Sequence, residues 1–205
     1  AIHRVSHMTQ IDPSAHLVPV ELAKAYRLIN HGPTVLISAA HAGQRNVMAV
    51  AWNMPLDFHP PKVAVVIDKA TFTRGLVEAS GEFVLQVPTV DMLSTVMAVG
   101  TQSGREIDKF DHCGLQALSV PQAQAPLIAG CAAWLVCKVL PEEAMAQRYD
   151  LFLAEVIAAW ADPRAFKDGR WLFDATDEPG AGPNLRSLHH VAGGAFFATG
   201  KPLQG

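Results

Sequence analysis

Charge is scarce in this chain. Only 17% of its 205 residues are Asp, Glu, Lys or Arg, where about a quarter is usual for a soluble domain. The formal balance is -3 at pH 7, so no basic surplus supports a nucleic-acid partner. Cysteine is scarce as well. Cys113, Cys131 and Cys137 form an odd set with no CxxC pair, which argues against a disulfide framework and for a reducing, cytoplasmic setting. Long apolar runs are missing, since no stretch approaches the ~18 residues a spanning helix needs, and no membrane partner is expected. The N-terminus does not read as a secretory signal, because His3, Ser6, His7, Thr9, Gln10 and Asp12 interrupt any apolar core. Metal signatures are missing too: His16, His31, His41, His59 and His112 show no H-x-x-x-H or H-E-x-x-H spacing.

What fills the chain instead is apolar: 50% of its residues are hydrophobic. Monomers rarely expose large contiguous apolar patches. Some of that surface is therefore expected to be covered by a partner subunit or a bound cofactor. The length fits one domain over residues 1–205, with 1–15 as an extension outside the fold.

Along the chain, Glu21–Asn30 reads as a short amphipathic helix stopped by His31-Gly32-Pro33. Thr34–Ala40 and Asn46–Trp52 read as a hairpin across the turn at 41–45. Lys62–Asp68 is a β-branched run with the pattern of a strand buried on both faces. Thr73–Ser80 reads as a helix capped by Thr73 and stopped by Gly81, and Glu82–Val87 as a strand. Thr89–Val99 reads as a second helix capped by Thr89, followed by a polar loop over 100–110. Ala132–Leu140 and Leu151–Trp160 are long strand candidates, with Pro141–Asp150 as their connection. Asp174–Asn184 is a Gly/Pro/Asp loop, and Ala195–Thr199 a last short strand. Strand mostly follows strand, which favours an antiparallel barrel with helical inserts over a doubly wound sheet.

Four segments carry chemistry. The first, Asp68-Lys69-Ala70-Thr71-Phe72-Thr73-Arg74, leads a strand into a helix start. Helix N-termini hold anions through unpaired N–H groups, and two hydroxyls and two cations crowd this one; the plain alternative is an ordinary cap with solvated cations. The second, Gly100–Phe110, gathers Ser103, Gly104, Arg105 and Lys109 in a loop that fits a phosphate or a polar ring edge. Its plain alternative is a solvated connection with an Arg105–Asp108 pair. The third, Asn46-Val47-Met48-Ala49-Val50-Ala51-Trp52, sets small residues between bulky ones. A flat ring can approach such a backbone, though a plain core strand filled by Trp52 reads the same way. The fourth is Leu188-His189-His190-Val191-Ala192-Gly193-Gly194, whose adjacent histidines face opposite sides of a strand. One can enter a site while the other faces water, though a lone histidine is more often structural than catalytic.

Dinucleotide binding by a Rossmann unit is disfavoured, because the one G-x-G, Gly180-Ala181-Gly182, opens no helix. A hydrolase built on Ser103 or Ser187 with His189 would need a nucleophile elbow and strand–helix alternation, and neither is written here.

Taken in order, Asn46–Trp52, Pro60–Ile67, Thr71–Thr73 with Gly81–Val84, Ser103–Phe110 and Leu188–Gly194 resemble the flavin reductase-like family, and within it the flavoredoxin-like branch. The resemblance runs from about Leu17 to Thr199. It implies an FMN-binding split β-barrel, antiparallel and of Greek-key type, and a homodimer with FMN in a groove near the subunit interface. It places Asn46, Val47, Met48, Ala49, Val50, Ala51 and Trp52 along the flavin. Asp68 and Lys69 would present backbone to it, Thr71 and Thr73 would approach the phosphate, and Ser103, Gly104 and Lys109 would close the site. His190 would sit near the ring as the one candidate catalytic side chain. NADH or NADPH is the implied hydride donor, and a partner oxygenase or another electron carrier the acceptor. Three departures stand out: His59 precedes Pro-Pro where an acidic residue is usual, Gln86 stands where Asn is common, and 53–59 lacks the cysteine some relatives carry. A flavin-binding or flavin-sensing protein without turnover is the alternative of a different class.

Overall fold

The structure, a computed structural model, describes residues 8–173 and 182–205. Most of the loop expected at Asp174–Asn184 lies outside the described residues. Nine strands concern the site: β1 (Val35–His41), β2 (Gln44–Val50), β3 (Asn53–Phe58), β4 (Pro61–Val66), β5 (Glu82–Val87), β6 (Ala133–Val139), β7 (Leu151–Ala161), β8 (Leu188–Ala192) and β9 (Ala195–Ala198). Among the described residues four α-helices are inserted: α1 (Phe72–Ser80), α2 (Leu93–Thr101), α3 (Lys109–His112) and α4 (Glu143–Tyr149). The first seven strands make one sheet in the order β2-β1-β5-β6-β7-β4-β3, with Val18–Pro19 added beside β7. Every pairing in it is antiparallel.

Two-residue alternation explains why this sheet is buried on both faces. Along β1, Val35, Ile37 and Ala39 enter one core and Leu36 the other. Along β6, Ala133, Leu135 and Cys137 enter the first, Trp134 and Val136 the second. The inner core is closed by α1 through Leu76 and Val77, the outer one by α2, α3 and the segment at 115–131. Buried polar groups pin that segment to the sheet. Gln86 donates to Ser38 Oγ at 2.9 Å and accepts from the Ile128 amide at 2.7 Å. The Trp134 indole donates to the Ile128 carbonyl at 3.0 Å. Half the chain is hydrophobic because one sheet feeds two cores.

The end strands of the sheet, β2 and β3, are joined by Ala51 and Trp52 alone, yet they do not pair with each other. The sheet therefore curls without closing, and a seam stays open between its two ends. This is the mainly-β antiparallel split barrel with short helical inserts that the sequence led us to expect.

Several local expectations change. The stretch at 21–30 is a 3-10 helix over Leu22–Leu28. Asn53–Phe58 is a strand the sequence reading did not contain. The cap of α1 is Thr71, not Thr73: Thr71 is extended and its hydroxyl accepts from the Arg74 amide at 3.3 Å. Thr73 is instead inside the helix and fully buried. Gly81 ends α1 at φ +70°, as expected of a left-handed cap. Thr89 makes no side-chain cap bond; it precedes a 3-10 turn, Val90–Met92, that leads into α2. The connection at 141–150 contains α4.

Candidate functional site

The seam opens on a groove of about 380 Å³. One wall is β2 and the link that follows it: Met48, Ala49, Val50, Ala51 and Trp52. Val66 and Asp68 at the end of β4 form a second wall, and Val96, Met97, Gly100 and Thr101 of α2 a third. His190, Gly193 and Phe196 of the β8–β9 hairpin, with Thr34, complete it.

The register of β2 explains what it offers. The tight turn Ala42-Gly43, with both φ values positive, makes His41 and Gln44 a closing pair. Backbone groups of an antiparallel strand point alternately toward and away from the partner. Asn46, Met48 and Val50 therefore bond to β1, while the amides and carbonyls of Val47 and Ala49 lie on the free edge. The Val47 carbonyl confirms this by accepting from Lys109 Nζ at 2.9 Å. Ala49 thus turns an unpaired edge N–H and C=O toward the groove, beside a side chain of one methyl. Across from it, a Cβ on Gly100 would come within 3.3 Å of Ala49 Cβ, so strand and helix approach closely here because both residues are small.

The residues expected to hold a cofactor divide into two groups. Met48, Ala49, Val50, Ala51, Trp52, Asp68 and His190 line the groove together. Val47 turns its side chain into the outer core. Asn46 is buried, donating to Thr73 Oγ1 at 3.0 Å, and its Oδ1 has no partner. A Cβ on Gly104 would fall 2.3 Å from that oxygen, so Gly104 packs flat on the Asn46 amide. Lys109 is buried with its Nζ on the carbonyls of Val47 and Val99.

The anion site at the start of α1 is also rearranged. Arg74 is not available to an anion. Its guanidinium is buried, paired with Glu78 at 2.7 Å and Asp150 at 2.9 Å, and donating to the carbonyls of Ile67 and Ala146. Lys69 turns to Asp150 and the Gln147 carbonyl. The Thr71 hydroxyl donates to the Asp68 carbonyl at 2.8 Å, and the Asp68 carboxylate accepts from the Ala70 amide. What remains are the Phe72 and Thr73 amides, which a helix start leaves without internal acceptors. Arg105 joins them: it donates to the Ala70 carbonyl at 2.6 Å and so ties the 103–108 loop to this turn. Ser103 accepts from the Arg105 amide within that loop. Asp108 does not pair with Arg105. It caps α3 and pairs with Arg45 at 3.3 Å.

The hairpin brings its histidines to different surroundings. His190 Nε2 lies 2.9 Å from the Gly193 carbonyl. A carbonyl only accepts, so this nitrogen is the donor in that bond, and Nδ1 is the ring nitrogen left to face the groove's mouth. The ring leans on Phe196 at 5.0 Å. His189 faces inward, against His31 at 5.7 Å. His31 Nε2 is 2.8 Å from Ser187 Oγ, which also bonds the Thr199 hydroxyl. Burial, helped by the charge of His189, pushes the His31 pKa down to about 4. Ser187 is buried, so the Ser187–His189 pair has no access for a substrate. The sequence reading missed Thr34, Val96, Met97 and Phe196; they lie outside the four segments, and nothing local marks them. No cluster of three metal-binding side chains occurs among the described residues, and no described helix is long and apolar enough to cross a membrane.

Residues 26–178 match the family described as flavin reductase like domain. The protein YddH of Escherichia coli (strain K12) is 43% identical over 190 residues, which cover 91% of this chain and 97% of that one. The crystal structure of an FMN-binding domain of a flavin reductases-like enzyme from Shewanella baltica OS155 superposes with a TM-score of 0.86 at 50% identity, covering 92% of this chain and 97% of that one. The flavoredoxin of Desulfovibrio vulgaris (Miyazaki F) shares the fold, with a TM-score of 0.72 at 21% identity over 85% of this chain and 90% of that one.

Proposed function

The chain belongs to the flavin reductase-like family, and from that premise we propose that it binds FMN in the seam groove and serves as an NADH- or NADPH-dependent oxidoreductase. The observation that carries this reading is the free edge of β2: a polar backbone rim above a floor of Ala49, Ala51 and Gly100. That combination accepts a flat heterocycle, whose polar edge needs hydrogen bonds and whose faces need apolar contact. The residues present fit the group. The α1 start and Arg105 suit its phosphate, and the Ala49 edge suits its ring.

Bound there, FMN supplies the two-electron chemistry. The chain's own residues orient and shield. Met48, Val50 and Val96 keep water from one side of the groove. His190, its Nε2 proton held by Gly193, offers Nδ1 to a donor at the mouth. No nucleophile is required of the protein. The electrons go on to a partner oxygenase or another acceptor.

A second copy of the chain is part of this proposal. Trp52 and Met54 project from one face of the link and β3, exposed by 74% and 53%; beyond the bulge between Pro55 and Asp57, Leu56 and Phe58 are exposed by 45% and 63%, Phe58 leaning on Tyr26. Large apolar side chains exposed this close together beside the groove suit a homodimer interface.

The test is a visible spectrum of the purified protein with added FMN, then anaerobic titration with NADH and with NADPH. We expect flavin absorbance near ~450 nm on the protein, bleached by one nicotinamide in preference to the other. A protein that gains no such absorbance would overturn the reading. Bound flavin that neither donor bleaches would leave a flavin-binding protein without turnover.

A further inference from the structure

Lys109 is a buried cation near the groove that the proposal above does not use. It is 4% exposed. Its Nζ donates to the Val47 carbonyl at 2.9 Å and the Val99 carbonyl at 2.6 Å. Among the described residues no carboxylate pairs with it, unlike Arg74, which faces Glu78 and Asp150. Both of its acceptors belong to the groove's walls. The Val99 carbonyl is part of the peptide joined to Gly100, which lines the groove. Val47 stands two residues before Ala49, a step of about 7 Å along the free edge of β2.

The chemistry of the acceptors favours an ammonium. The Val99 carbonyl is among the last four of α2, which have no partner inside the helix and carry its partial negative charge. Burial holds the Lys109 pKa below the usual lysine value, and the Cys113 thiol opposes that trend. A positive charge at this place is poorly screened, because β2, α2 and α3 enclose it.

We propose that Lys109 sets the reduction potential of the bound flavin, by placing an uncompensated positive charge behind the groove wall at the junction of β2 and α2. The inference rests on the FMN reading and deepens it. Two-electron reduction leaves FMN with one more negative charge at neutral pH. A nearby cation therefore strengthens binding of the reduced form more than of the oxidised form, and the potential rises.

The informative substitution is Lys109→Gln. Its amide keeps two N–H donors for the two carbonyls and removes only the charge. Dissociation constants for oxidised and reduced FMN are measured anaerobically, and the midpoint potential by spectroelectrochemistry. We expect the ratio of oxidised to reduced dissociation constants to fall about tenfold, which is about 30 mV downward for a two-electron couple. Lys109→Arg should keep the wild-type potential even where it binds more weakly. An unchanged potential in Lys109→Gln overturns the proposal. Should that variant not fold, the wild type decides: it must bind reduced FMN more tightly than oxidised FMN, and the reverse order also overturns it. A wild-type chain that binds no FMN at all refutes the functional reading itself, and is distinct from either result.

Discussion

Consider lowering the pH from 7.5 to 4. His31 is held neutral by burial and by the facing His189, with a pKa pushed from 6.5 down to about 4. Between those two values the unfolded chain binds a proton that the folded chain does not. Stability is therefore complete above about pH 6.5, falls as the pH drops through the window, and levels off near pH 4. At about 1.4 kcal/mol per pH unit the loss comes to about 3 kcal/mol, a large part of a typical domain's stability. The geometry explains why the ring resists charging. His31 Nδ1 is buried without a partner, and the ring is boxed by Trp171 at 5.1 Å, Phe173 at 5.5 Å and His189. Asp150 does not interfere, since the hydrogen bond from Arg74 holds its pKa below the usual carboxylate value and so beneath this window. Urea unfolding at half-unit steps of pH provides the assay, on the wild type and on His31→Gln. The variant starts weaker at pH 7.5, having lost its packing, but its curve should be flatter by about 3 kcal/mol across the window. Parallel curves for the two proteins would refute the reasoning.

Gly104→Ala should destabilise the chain by about 1 to 3 kcal/mol, because the new methyl must displace the buried Asn46 amide from Thr73; thermal and urea unfolding read the loss, and FMN affinity should drop with it. Replacing Trp52 and Met54 together by Ser should turn a dimer into a monomer at micromolar concentration while the far-ultraviolet dichroism stays unchanged; sedimentation velocity checks it, and a wild type that is already monomeric would remove this exposed face as an interface.

How much of this was legible beforehand follows from physical causes. The β1–β2 hairpin and the end of α1 at Gly81 were readable because alternation and a left-handed glycine are local signals. β3 was not readable: Pro55 interrupts it, and its apolar side chains face outward, away from either core. Thr71 and Thr73 stand two residues apart at the start of the same helical pattern, and only the backbone decides that Thr71 caps while Thr73 is buried. For the same reason the sequence showed four cations near a phosphate without showing that Arg74 is tied to Glu78 and Asp150, Lys69 to Asp150, and Lys109 to two carbonyls. The pairing of His31 with Ser187 and His189 spans more than 150 residues and has no local trace.

The two-residue link between β2 and β3 has a mechanical side. From Val50 to Asn53 the chain can reach about 10 Å at full stretch. The strands on either side of the seam are the outermost of the whole sheet, separated by five others in space yet tethered at one end by this short leash. At that end the two edge strands cannot part further than the link allows, and only their far ends are free to spread. The groove's width is set elsewhere, by Gly100 of α2 facing Ala49 and by the β8–β9 hairpin, so the seam can breathe at its far end without changing the space beside the link.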